Sequence, residues 1–454
     1  MSSLPVEVLS VAAGETVDSV TPEVTRLARL APRPITLAAS GLSLTFAADL
    51  LGKHLASAGV LTASQLIERL ALAGPVVDEV LQFMRAEARV EVRSRVGQDA
   101  ELRYGLTDHG RKEAADALSR SGYVGTAPVP LDVYVTLVAK QSVHGHVITR
   151  QTVLDTFQGF VIDEDLRDRL GPALNSRRAM FLYGHAGTGK TYTARRLSRA
   201  LRGLVLVPHA ISVNESVIEI FDPLCHERAV IADSPAATKL EEGFDPRFVP
   251  CERPIVFTGG ELAADMLEVQ CDAATRTYSA PIQMKANNGF LLIDDLGRQR
   301  IPPAVLFNRW IVPLDTGHDA LTTGKGHHFV VPFDLVLVFS TNLRPQDIAD
   351  EAFLRRLGYK IEFTPIAPAL YTQIWRDVCA ERSVVFDSRL VDFTIRELHG
   401  KTRIPMLPCH PRDLLGMALD RIAYLGAGAL DEDAVRWAWE NYFLHKGVDE
   451  FKDA

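Results

Sequence analysis

In MFLYGHAGTGKTYTARRL (residues 180–197) an apolar run opens into three glycines, Gly184, Gly187 and Gly189, directly before Lys190 and Thr191. Glycine lets a backbone turn tightly enough for successive N–H groups to face one anion, and a helix starting there adds its positive end. The span Gly184, His185, Ala186, Gly187, Thr188, Gly189, Lys190, Thr191 and Tyr192 is therefore expected to enclose a phosphate chain. Lys190 would reach the outer phosphates and Thr191 would ligate Mg²⁺.

The spacing is G-x-x-x-x-G-K-[ST], a P-loop, and its setting between an apolar strand and the helical TARRLSRAL makes it specific. A second stretch, GFLLIDDLGRQR (289–300), runs four apolar residues into Asp294 and Asp295. Phe290 to Ile293 suit a central parallel strand buried on both faces, with Asp294 at the C-terminal edge where open α/β sheets bind ligands. A carboxylate there can hold Mg²⁺ on a nucleotide's outer phosphates, and Mg²⁺ with Lys190 would keep two adjacent carboxylates ionised. DLVLVFSTN (334–342) repeats the design, ending in Ser340, Thr341 and Asn342. Taken singly Asn342 is a turn residue; as a third polar strand end it is read as orienting the attacking water or contacting the γ-phosphate.

Such strand ends need a layered sheet to hold them, and the chain has room for one. Its 454 residues exceed a single core and suggest about three domains. Hydrophobic content of 47% with 23% charged residues is ordinary for a soluble globular protein. No apolar run approaches the roughly 18 residues of a membrane helix, and MSSLPVEVLS lacks the basic start of a signal peptide, so a cytoplasmic protein without membrane contact is expected. The five cysteines are scattered and never spaced CxxC, which points to neither a zinc site nor a disulfide framework. Net charge of −8 argues against a surface that tracks nucleic acid throughout.

Residues 1–35 mix Ser, Thr, Pro and Val without period and read as a tail. Over 36–124, three helical stretches, two β-type runs about a Gly97-Gln98-Asp99 turn and a closing helix follow in order, with Thr62 and Gln65 spaced as a capping box and Thr107 as a cap. That order, with YGLTDHGR, resembles a winged helix-turn-helix domain. Its third helix would open with Pro75, Val76, Asp78 and Glu79, and residues 1–120 carry 13 Lys plus Arg against 15 Asp plus Glu, which favours protein contact or packing against the neighbouring domain over DNA. Residues 125–150 read as a linker, 151–365 as an α/β nucleotide-binding core, and 366–454 as a helical domain. The roughly hundred residues between Lys190 and Asp294 exceed what such a core needs, so 213–288 is expected to include an insertion.

With these motifs in order from about residue 150 to 446, the chain resembles an AAA+ ATPase, loosely MoxR-like and enhancer-binding ATPases and bacterial predicted ATPases with an N-terminal winged-helix part. The resemblance implies a parallel-sheet αβα core with a C-terminal helical lid, ATP and Mg²⁺, and a homo-oligomeric ring, a hexamer, acting on a protein client. It makes Gly184–Thr191 Walker A, Asp294-Asp295 Walker B with Asp294 on the metal, and Asn342 sensor 1. In DEAFLRRLGYKIEF, Arg355 or Arg356 corresponds to an arginine finger, Arg356 being favoured; in CHPRDLLGMALD, Arg412 corresponds to sensor 2. Asp295 stands where most of the family carry glutamate, and one methylene less of reach predicts slower water activation. IVFTGGEL (255–262) echoes the aromatic-Thr-Gly loop of enhancer-binding ATPases; otherwise it reads as a strand ending in a glycine turn. Arg298 and Arg300 read as interface, channel or solvated surface residues. The reading is an ATP-hydrolysing remodelling enzyme, with a DNA-associated regulator or loader, or a nucleotide-gated switch with little turnover, as alternatives.

Overall fold

The computed structural model describes residues 22–93, 101–145, 147–230, 243–324, 326–426 and 428–443, which fall into two compact units. Of these described residues, the first unit takes those up to Leu118 together with Val124–Ala127 and those between Ala229 and Phe248; the second takes Ser119–Tyr123, those between Pro128 and Arg228, and those from Val249 on.

In the first unit, part of the segment expected as a tail is a helix, α1 (Pro22–Leu30), because Val24 and Leu27 recur at helical spacing and are buried. Then follow α2 (Leu44–Ala58), β1 (Val60–Thr62), α3 (Ala63–Leu70), α4 (Gly74–Ala86), β2 (Val90–Arg93), β3 (Arg103–Leu106) and α5 (Asp108–Arg120). The strands form an antiparallel sheet in the order β1-β3-β2. The capping box forms at Thr62 and Gln65, and the Thr107 hydroxyl accepts the Gly110 N–H at the start of α5. The Gly97-Gln98-Asp99 turn lies outside the described residues. Residues 243–248, assigned by sequence to the nucleotide core, are anchored here. Asp245 N–H donates to Ala31 O at 2.9 Å, and the buried Arg247 guanidinium is matched by Asp245 at 2.8 Å and Ser40 O at 2.8 Å. A buried arginine requires such full pairing, which ties this stretch of chain to the first unit.

The second unit is built on five parallel strands: β4 (Met180–Tyr183), β5 (Ile255–Thr258), β6 (Phe290–Ile293), β7 (Val336–Thr341) and β8 (Tyr359–Glu362), in the order β5-β6-β7-β4-β8. Their apolar runs are continuous because both faces are buried. Phe290 and Leu292 of β6 join Met180, Leu182, Val336 and Val338 in one core, which Ala194 and Leu197 of α6 (Lys190–Ser198) help to cover. Leu291 and Ile293 join Phe181, Leu337 and Phe339 in the other, against Leu306, Phe307 and Trp310 of α7 (Pro303–Thr316). The expected αβα layering of the core is thus present.

The 213–288 segment, expected to include an insertion, supplies β5, an edge strand of the core, while Ser216–Glu219, Gln270–Asp272 and Thr277–Ser279 form a separate sheet with Ala210–Val213 and Val129–Pro130. One stretch of this unit differs from its sequence reading. Between 125 and 150, read as a linker, Leu131–Lys140 is a helix that buries Tyr134, Leu137 and Val138, with Tyr134 Oη accepting from Asn287 Nδ2 at 2.9 Å. The lid consists of α8 (Pro368–Glu381), α9 (His410–Leu425) and α10 (Glu432–Tyr442), packed through Tyr371, Trp375, Leu414, Leu415, Val435 and Ala438. Among the described residues no helix is long and apolar enough to cross a membrane.

Candidate nucleotide-binding site

The loop leaving β4 is shaped by its glycines. Gly184 has φ 137°, and a Cβ there would lie 2.2 Å from Phe363 O, just past β8; Gly187 has φ 82°, and a Cβ there would meet Cys409 Sγ at 2.5 Å. A side chain at either position would therefore push the loop off its neighbours as well as strain it. Gly189, also left-handed, caps α6, so the helix N-terminus faces the loop's interior.

Lys190 turns back into this loop. Its ammonium donates to Gly184 O and His185 O, each at 2.8 Å, and to Asn342 Oδ1 at 2.8 Å. Burial depresses its pKa from the ordinary lysine value to about 8, and Asp294 and Asp295 act in the opposite direction. The cation therefore stands within electrostatic reach of both aspartates.

The β6 end is fixed from two sides. Asp294 N–H donates to Thr258 O of β5 at 2.8 Å, and one Asp294 carboxylate oxygen accepts the Asp295 N–H at 3.0 Å. The chain then turns sharply, with Asp295 at φ 49°. Asn342 follows β7, which lies between β6 and β4 in the sheet. That strand order is what brings the lysine, the aspartates and the asparagine to one rim.

Beside this rim lies a cavity of about 460 Å³ whose lining includes Ala186, Gly187, Gly189, Lys190, Thr191, Tyr192, Asp295 and Asn342 from the core and Arg412 from the lid. Gly184, His185, Thr188 and Asp294 are not lining residues; the first three shape the loop, and Thr188 Oγ1 donates to His185 O at 2.8 Å. Arg412, in the first turn of α9, pairs with Glu381 of α8 at 2.9 Å. The finger candidates lie away from the cavity lining. Arg356 donates to Asp315 at 2.7 Å and to Ala352 O at 2.6 Å, whereas the exposed Arg355 pairs with Glu351 at 2.6 Å. Arg298 and Arg300 are exposed.

Sequence reasoning missed three contributors. Gly159, Phe160 and Val161 form one wall, with Phe160 stacked on Tyr192 at 5.2 Å; Ile374, Asp377, Val378 and Glu381 line another at helical spacing on α8. The third is Gln299, whose amide bonds the turn after β6. The α8 spacing was legible as a helix face, but nothing local marks it as facing a ligand.

Residues 367–441, which span the lid helices, match the family described as Domain of unknown function (DUF8689). No curated protein matches the sequence. Three solved structures resemble parts of the chain. The complex between subunits BchI and BchD of magnesium chelatase does so at 16% identity over 63% of this chain and 93% of that one, TM-score 0.34. Domain III of the replication initiation protein DnaA of Thermotoga maritima does so at 12% identity over 64% and 97%, TM-score 0.35. The RuvB Holliday junction branch migration motor of Thermotoga maritima does so at 13% identity over 69% and 71%, TM-score 0.33. The geometry itself defines an α/β P-loop core, with lysine, aspartates and asparagine gathered at one rim of a parallel sheet and a helical lid beside them.

Proposed function

We propose that this chain is an AAA+ ATPase that hydrolyses ATP at the interfaces of a homo-oligomeric ring and uses the cycle to remodel a protein complex in the cytoplasm. The observation that carries the reading is the convergence of Lys190, Asn342 and Asp295 on one cavity beside a left-handed glycine loop and a helix N-terminus. An ammonium, backbone N–H groups and hard oxygen donors form a donor set that fits a magnesium triphosphate. Thr191 and Asp294 are the residues that would hold Mg²⁺, which would neutralise charge on the phosphate oxygens. Gly184 to Tyr192 would bind the phosphates, Asp295 would accept the proton of the attacking water, Asn342 would orient that water, and Arg412 would reach the nucleotide from the lid.

Arg356 lies outside the lining of its own cavity and is held by Asp315 on the end of α7. That placement supports an arginine, with Arg355 beside it, that completes a neighbouring copy's site. In the first unit the early turns of α4 bury Val76 and Val77 and expose Asp78 and Glu79, and those exposed carboxylates support a winged-helix element that meets protein in preference to duplex DNA.

The test is phosphate release by wild type, Asp294→Asn and Arg356→Ala across protein concentration. The proposal expects specific activity to rise with concentration, and both variants to lose it. A rate flat with concentration and indifferent to Arg356 would exclude a shared site. Tight ATP binding without turnover would point to a nucleotide-gated switch, and salt-dependent binding of duplex DNA by the full chain would point to a DNA-associated regulator.

A further inference from the structure

Asp295 has a left-handed backbone, φ 49°, and it is the member of the Asp-Asp pair that lines the cavity. That conformation is disfavoured for a residue with a side chain and persists only where neighbouring groups fix it. Gln299 supplies them. Its Nε2 donates to Asp294 O at 2.7 Å and to Asp295 O at 3.1 Å, and its Oε1 accepts the Gly297 N–H at 2.8 Å. The far side of the same turn is tied to β7: Leu296 N–H donates to Ser340 O at 2.8 Å, and Thr341 Oγ1 donates to Leu296 O at 2.7 Å.

The turn is therefore held between Gln299 and β7, the strand that Asn342 follows. Gln299 itself is not a cavity-lining residue, so its effect on chemistry must pass through the backbone it holds. Asp295 has a short carboxylate, and a short side chain depends more than a long one on where its Cα points. We infer that Gln299 is a positioning residue that locks the Asp294–Gly297 turn in its left-handed form and so presents the Asp295 carboxylate to the phosphate end of the cavity. The inference rests on the hydrolytic reading above and deepens it.

Full-length wild type, Gln299→Met, Gln299→Glu, Asp295→Asn and the Gln299→Met/Asp295→Asn double variant are compared by steady-state phosphate release and by binding of a fluorescent non-hydrolysable ATP analogue. Methionine keeps the length and loses all three bonds; glutamate keeps the acceptor for Gly297 N–H and loses the donor. Each single Gln299 variant is expected to lower kcat by roughly 10- to 100-fold while KM and analogue affinity move less than about threefold. In the Asp295→Asn background, Gln299→Met is expected to have no further effect, because the group it positions is gone.

Wild-type kcat in Gln299→Met overturns the inference, as do losses that multiply in the double variant or a kcat loss matched by weaker binding. Should Gln299→Met fail to fold, Gln299→Glu carries the same comparisons. A wild type that releases no phosphate overturns the hydrolytic reading and the inference with it, whereas turnover in wild type that Gln299 variants leave untouched overturns the inference alone.

Discussion

Lys190 Nζ lies 2.8 Å from Asn342 Oδ1, joining the loop after β4 to the end of β7 across 152 positions of sequence. One ammonium cannot serve as a phosphate ligand and remain loosely placed, and here its three donors are directed at two loop carbonyls and one side-chain amide. Asn342 accepts from Lys190 through Oδ1, so on the proposed reading its amide N–H₂ would be the group to meet a water or phosphate oxygen. Lys190→Met is expected to weaken ATP-analogue binding by about 100-fold or more, since it removes the buried cation, whereas Asn342→Ala should leave affinity within a few-fold and lower turnover by roughly 10- to 100-fold. Calorimetric binding beside phosphate release separates the two. Equal loss of affinity in both variants would mean that Asn342 binds and does not orient.

On the proposed reading, the depressed Lys190 pKa would give nucleotide binding a pH dependence. The free protein's lysine titrates at about 8, whereas a bound triphosphate favours the charged form and raises that value. Binding near pH 8 should therefore take up protons, and affinity should fall by up to about tenfold per pH unit above 8 until the bound-state pKa is reached. For folding the sign is opposite: between about 8 and the ordinary lysine value the unfolded chain binds more protons, so this group's contribution to stability rises with pH. Calorimetry in buffers of different ionisation enthalpy, at pH 7, 8 and 9, reads the uptake directly. A pH-independent affinity over that range would remove Lys190 from the phosphate site.

The strands that carry the rim were legible because burial on both faces leaves a simple trace: Phe290–Ile293 and Val336–Phe339 are unbroken apolar runs that end in polar residues. β5 is just as much a core strand, and Ile255–Thr258 reads as a strand ending at the Gly259-Gly260 turn, but its place beside β6 is a non-local pairing with no sequence mark. The glycine loop was legible since its chemistry is local. Gln299 was not, because all its bonds are to backbone groups, and backbone identity is silent in a sequence. The same holds for 243–248, whose membership in the first unit depends on Arg247 meeting a carbonyl two hundred positions away. Arg412 and Arg356 were found by resemblance to a family, and the two then part: one lines the cavity and the other does not.

The contact between Gly187 and Cys409 predicts a size-dependent defect. Gly187→Ala adds a Cβ that would sit 2.5 Å from Cys409 Sγ at φ 82°, so it both strains the backbone and pushes the lid's α9 from the loop. Gly189→Ala shares the positive φ, 89°, but its Cβ would meet nothing nearer than Thr193 Oγ1 at 4.0 Å. Backbone strain alone costs about 1 to 2 kcal/mol, so Gly187→Ala should lose more than Gly189→Ala, and adding Cys409→Ala should recover the excess but not the strain. Denaturant midpoints and analogue affinity for the three variants check this. Equal losses at 187 and 189 would mean that the lid does not press on the loop.

The lid is expected to have an acid limit. His410, buried at the start of α9, stacks on His399 at 5.4 Å and meets the edges of Tyr442 and Phe443, while its Nδ1 faces the Leu407 N–H. Burial, and secondarily the neighbouring His399, push its pKa down to about 4. His399 is held low as well by burial, with Nδ1 at 2.9 Å from Ile404 O and Nε2 at 2.9 Å from Tyr371 Oη. A histidine that titrates near 6.5 unfolded and near 4 folded binds more protons when unfolded, so stability is full above about 6.5 and is lost as pH falls towards 4. For His410 the whole shift corresponds to roughly 3 kcal/mol. Trp375, Trp437 and Trp439, three of the chain's four tryptophans, lie in the lid, so their emission follows its unfolding. Urea titrations at pH 7 and 5 should show a larger loss of midpoint for wild type than for His410→Gln, which cannot take up the proton. Parallel losses in the two proteins would show that carboxylates elsewhere, and not the histidine pair, set the lid's response to acid.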